Sequence, residues 1–206
     1  ELDKTQDLQY PDFQPEQLDY WLNKAMELYI DDLAYPTVEG KLPFEYNQKR
    51  IDELRELVKT ETVWATKDLN RYITQLPNDY RHLVRHECNT AKGSVSKLVS
   101  GIITKHDLIN LQKKDPFWKP ISSEPLYYII GDSLVYETDE SFSIVNSILT
   151  YIKNPAKMRL GTEYTKTTTD VDCELTSEYV QHQIINRAVS MMLDNIESPR
   201  YQTNLN

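Results

Sequence analysis

Glycine is scarce in this chain. Only five occur in 206 residues, at positions 40, 93, 101, 131 and 161. That is too few and too scattered for the glycine-rich turns that cradle phosphates in dinucleotide and P-loop sites, so nucleotide chemistry is disfavoured. Cysteine is scarcer still: Cys88 and Cys173 form neither a CxxC pair nor a disulfide framework, which leads us to expect folding in a reducing cytoplasm. No basic stretch followed by an apolar one opens the sequence, so no targeting segment is expected. The longest apolar run, Leu126-Tyr127-Tyr128-Ile129-Ile130, is far below the ~20 residues that span a bilayer, and no membrane partner is expected. Positive charge is also in deficit. Lys and Arg number 23 against 32 Asp and Glu, a net charge of −9, which argues against wrapping nucleic acid by neutralising its phosphates.

What is present is apolar periodicity. Pro15 suits a first helical position, and Phe13 can staple against Leu18. Leu18, Trp21, Leu22, Ala25, Met26, Tyr29, Ile30 and Leu33 then recur at helical spacing until Tyr35-Pro36 ends the pattern. A second helix is expected over residues 47–60, with Ile51, Leu54, Leu57 and Val58 inward. Strands are expected over 82–90 and 95–104, joined through Lys92-Gly93-Ser94, and a short helix over 105–114. The plainest hairpin joins 126–130 to 134–137 through Gly131-Asp132-Ser133, and another strand fills 143–153. With apolar residues on both faces, that last strand should be central. Thr176 is the expected N-cap of a last helix to Glu197, which Ser198-Pro199 stops. The fold class expected is α+β: a small helical bundle, with long N-terminal and C-terminal helices, packed with a small, mostly antiparallel sheet and flanked by extended arms. The divisions are an arm at 1–13, a single adaptor domain at 14–198 and a tail at 199–206.

Catalytic constellations are thin. His82 and His86 are the one pair with metal-like spacing, beside Glu87 and Cys88, but no third ligand is evident and the Glu a zincin needs is missing. A metal-dependent hydrolase using these two, with His106, is the rival reading, and the expectation is no metal and no cofactor. No Ser sits in a glycine-flanked elbow, and both cysteines read as core. The carboxylate pairs Asp31/Asp32 and Asp139/Glu140 read as solvated helix ends or turns. The basic stretch Lys153, Lys157, Arg159 and Lys166 has few aromatics to stack on bases. Fourteen tyrosines against four phenylalanines suit half-wet protein interfaces, and equally suit sheet faces.

The order of segments carries more than any one of them. Leu76-Pro77-Asn78-Asp79-Tyr80, a strand region, the Gly131-Asp132 hairpin, Leu149-Thr150-Tyr151-Ile152-Lys153-Asn154-Pro155, and Cys173-Glu174-Leu175 before a helix closing in Glu197-Ser198-Pro199-Arg200 resemble virion structural proteins of tailed bacteriophages. The resemblance is closest to head-to-tail connector (adaptor or ring) proteins, especially those of short-tailed crAss-like phages. It spans residues 75–200 by pattern and the first helices by architecture. It implies a non-enzymatic adaptor in the virion neck, assembled in the host cytoplasm as a cyclic homo-oligomer, often a dodecamer. Such a ring sits beneath the portal protein, extends a channel through which DNA passes without specific binding, and gives tail proteins a platform. Another virion ring, a tail terminator or tail hub, is the alternative. The residues expected to dock on the portal are Pro199, Arg200, Tyr201 and Gln202, where the proline frees a polar tail carrying Arg and Tyr, types enriched in binding hot spots.

Overall fold

The computed structural model describes residues 15–34, 52–159 and 170–197. The chain divides into two compact units, one formed by Glu1–Glu56 with Pro155–Asn206 and the other by Leu57–Asn154. The second is therefore inserted into the first. The docking tail Pro199, Arg200, Tyr201 and Gln202 lies outside the described residues.

The inserted unit is an eight-stranded sheet in the order β4-β3-β8-β1-β2-β7-β6-β5. Its strands are β1 (Val58–Asp68), β2 (Arg71–Gln75), β3 (Tyr80–Lys92), β4 (Val95–Val99), β5 (Ile102–Ile103), β6 (Leu126–Ile130), β7 (Ser133–Glu137) and β8 (Ser143–Lys153). All pairings are antiparallel except β5 with β6. β1 serves two partners in turn: Val58 to Trp64 pair with β8, and Ala65 to Asp68 pair with β2. The sheet curls, so that side chains from β2 and β7 meet side chains from β8 and β3. Tyr72, Leu76, Cys88, Tyr127, Leu134, Tyr136, Leu149 and Tyr151 fill the space between. A smaller cluster of Ile109, Leu126, Tyr128 and Val135 lies apart from it. Val58 pairs with Ile152, which brings the two ends of the unit side by side.

The expected helical bundle with a small sheet is not what forms. The described residues are mixed α/β, about 40% strand and 31% helix, with one long N-terminal and one long C-terminal helix among them. The difference arises at residues 58–75. The helix expected to run to Thr60 gives way to a 3₁₀ turn at Arg55–Leu57, and Val58, Thr60, Thr62, Val63 and Thr66 enter β1, where branched side chains pack better than on a helix. The helix expected over 105–114 shrinks to α2, Ile109–Gln112.

The other unit holds α1 (Pro15–Ala34) and α3 (Glu178–Glu197). α1 buries Ala25, Met26, Ile30 and Ala34, and α3 buries Val180, Ile184 and Ala188, each set at three- and four-residue spacing. Asp32 and Arg187 tie the two helices together at 2.7 Å. The Asn23 amide grips the backbone of Met158, accepting from its N–H and donating to its carbonyl, both at 2.8 Å. Thr176 does not cap α3. Its hydroxyl and its N–H both donate to Glu56, and the carbonyl of Ser177 accepts the first helical bond, from Gln181.

Candidate functional site

The three histidines of the hydrolase reading are dispersed by the fold. β3 pairs Leu83 with Tyr151 and His86 with Leu149, while His82 pairs with Ile152 and Arg85 with Thr150; the register slips at Val84. That extra residue puts His82 and His86 on opposite faces, whereas an unbroken strand would have put them on one. His106 lies on the β5–β6 connection and donates from Nε2 to the Ile129 carbonyl, 3.0 Å away. There it covers an acceptor on β6 that β5 is too short to reach. Among the described residues no three His, Cys, Asp or Glu are placed to hold a metal ion.

His86 instead ends a chain of polar side chains across the core. Its Nε2 is 2.5 Å from the Tyr136 hydroxyl, which is 2.5 Å from Ser147 Oγ, which is 3.1 Å from Thr74 Oγ1. Its Nδ1 is buried with no partner. A bare ring nitrogen costs less there than an unpaired N–H, so the proton is assigned to Nε2, which donates to Tyr136. The Tyr127 ring lies 4.2 Å from the imidazole, centroid to centroid. Burial pushes the imidazole pKa down to about 4. Gly101 closes the site, because a Cβ there would stand 2.7 Å from Tyr127 Cδ1 and 2.9 Å from His86 Cε1. These hydrogen bonds join four buried polar side chains and link the two halves of the curled sheet.

Two further polar clusters escaped the sequence. Glu137, fully buried, accepts from Arg71 Nε at 2.7 Å, Lys113 Nζ at 2.6 Å and Tyr128 Oη at 3.0 Å. Every partner comes from a different element, so no spacing could have announced it. Lys59 bridges Glu61 at 3.0 Å and Asp79 at 3.2 Å, and the buried Tyr151 hydroxyl donates to Asp79 Oδ1 at 2.7 Å. The bond from Tyr151 holds the Asp79 carboxyl below its usual range, and the two carboxylates raise the Lys59 ammonium. Both cysteines are free, with thiol pKa values raised by burial; Cys88 is buried, at about 12, and Cys173 is half-buried. Asp139 accepts from the N–H and hydroxyl of Ser141, making a turn.

Among the described residues, several large apolar side chains are left exposed. The connection from β5 to β6 exposes Leu108, Leu111, Phe117, Trp118 and Ile121, with Phe117 92% exposed. Lys105, Lys114 and Lys119 lie among them. On α3, Ile185, Val189 and Leu193 are about half exposed at four-residue spacing, which places them on one face. Ile185 also lines a groove of about 440 Å³ with Leu22, Met158 and Ile184. Charge is divided as unevenly. The unit built on α1 and α3 carries 11 Lys and Arg against 21 Asp and Glu, a net of −10, and the inserted sheet carries 12 against 11, a net of +1. No protein-family model matches the chain, and no curated protein matches it in sequence.

Proposed function

We propose that this chain is a non-enzymatic structural protein of a tailed-phage virion, a head-to-tail connector that assembles as a ring beneath the portal. The order of sequence motifs carries the assignment to a connector. The uneven charge of the two units supports the ring, because head-to-tail association needs two different and complementary surfaces on each subunit. An acidic ring also suits a channel, since a negative lumen repels DNA phosphates and lets the duplex slide. The proposed portal contact is the tail at Pro199, Arg200, Tyr201 and Gln202.

Imaging of assembled virions tests this reading. Density for the chain is expected as a ring around the channel between capsid and tail. Density on the capsid exterior, or none, would remove the proposal, and density at the far end of the tail would assign the chain to a terminator or hub ring instead.

A further inference from the structure

We infer that Phe117 and Trp118 of one copy dock into the α1–α3 groove of a second copy; this rests on the ring reading, and names the surfaces that close it. The connection bearing them is apolar where most surface is not. Phe117 is 92% exposed, Leu111 67% and Trp118 57%. At ~150–250 Å² per aromatic side chain, Phe117 and Trp118 alone present roughly 300 Å². With Leu108, Leu111 and Ile121 around them, the knob supplies a large part of the ~800 Å² per partner that a stable interface buries. Nothing in its own unit covers it.

Charge selects the occupant. Residues 105–119 carry Lys105, Lys113, Lys114 and Lys119 against Asp107 and Asp115, and Lys113 is already engaged by Glu137. Lys114 and Lys119 flank Phe117 and Trp118 in sequence. The complementary surface is in the same sequence: the α1–α3 unit has a net charge of −10. Its groove of about 440 Å³ offers Leu22, Met158, Ile184 and Ile185, with Asp172 beside them, a volume within the ~300–1,000 Å³ of pockets that hold drug-sized groups. Val189 and Leu193 extend the apolar strip beyond it. A knob on one unit and a groove on the other make a heterologous contact, the kind that builds a ring when the rotation from copy to copy closes and a filament when it does not.

The test places a photoreactive benzoylphenylalanine at position 117 of the full chain and irradiates a mixture of isotopically light and heavy protein. Mixed-label dimers are expected, linked to peptides of 15–34 or 171–197. Links that fall elsewhere, no links up to the concentration of assembled rings, or capture of added duplex DNA in place of protein would overturn the inference. In parallel, Lys114→Glu with Lys119→Glu should weaken self-association at least ~10-fold in sedimentation, and Asp172→Lys should restore part of it. Phe117→Asp should weaken it ~30-fold or more, as loss of a hot-spot aromatic does. Phe117→Asp should also leave the thermal midpoint of the subunit unchanged, because the side chain touches little. Unchanged association in these variants would also refute the docking. A ring in virions whose Phe117 faces portal or tail would keep the proposed function and reject this contact; the linked dimers without any virion ring would do the reverse.

Discussion

Lowering the pH should destabilise this protein through His86. The imidazole is 5% exposed, its Nε2 is committed to Tyr136 and its Nδ1 faces no acceptor. Protonation would place a charged N–H in an apolar site with nothing to receive it, which is why the folded-state pKa drops to about 4 from an ordinary 6.5. The unfolded chain takes up the proton first as pH falls. The stabilisation is therefore complete above pH ~6.5, shrinks between ~6.5 and ~4, and is gone below. At 1.36 kcal/mol per pKa unit the loss is about 3 kcal/mol, a large share of the ~5–15 kcal/mol that holds a domain together. Urea titrations at pH 7.5, 6, 5 and 4 on the protein and on His86→Gln would measure it. Gln does not titrate and its amide nitrogen can still donate to Tyr136. The gap between the two proteins should narrow by about 3 kcal/mol towards pH 4, the other titrating groups being common to both. A gap that stays constant with pH, or a His86 ring proton titrating near 6.5 in NMR spectra, would refute the reasoning.

Other substitutions test other parts of the sheet. Leu69 sits at φ 53°, in the left-handed region, 85% exposed in the β1–β2 turn; Leu69→Gly should raise stability by roughly 1 kcal/mol and the thermal midpoint by about 2–4 °C. Gly101→Ala drives a methyl into the rings of Tyr127 and His86 and should cost about 1–3 kcal/mol, seen as a lower urea midpoint with an unchanged slope. Glu137→Gln strands Arg71 and Lys113, but their heads are 50% and 34% exposed and regain water. The cost should therefore be about 2 kcal/mol rather than the ~3–5 of a fully buried pair; a midpoint within experimental error of the parent would show that the clamp contributes nothing.

Local patterns were legible where they sufficed to build the element. α1, the Gly131-Asp132 hairpin, β8 and the extent of α3 were all readable from spacing and turn chemistry. β1 was not, because the helical spacing of Leu54, Leu57 and Val58 runs directly into a strand whose residues 59–68 are mostly polar. Its identity comes from β8, about ninety residues later. Bulges hid more. The slip at Val84 separates His82 from His86, and another between Asn89 and Thr90 turns Ile144 towards the core beside Leu149 and Tyr151, so that parity read from sequence fails on both strands. The same distance effect concealed Glu137, whose partners Arg71, Lys113 and Tyr128 are gathered only by tertiary structure. On α3 neighbouring apolar residues differ, with Ile184 buried and Ile185 exposed, a division that hydrophobicity alone does not announce.

The pairing of Val58 with Ile152 also sets an order of events during synthesis. Residues 1–56 and 155–206 belong to one unit but leave the ribosome with 98 residues, Leu57–Asn154, between them. Closing a flexible loop of that length costs about 4 kcal/mol of chain entropy by the logarithmic rule. Once β8 zips onto β1, the loop is replaced by a folded body whose two ends are already adjacent. The inserted sheet thus acts as the clasp that lets α1 and α3 find each other, and α1 must wait for its partner until α3, Glu178–Glu197, has been made.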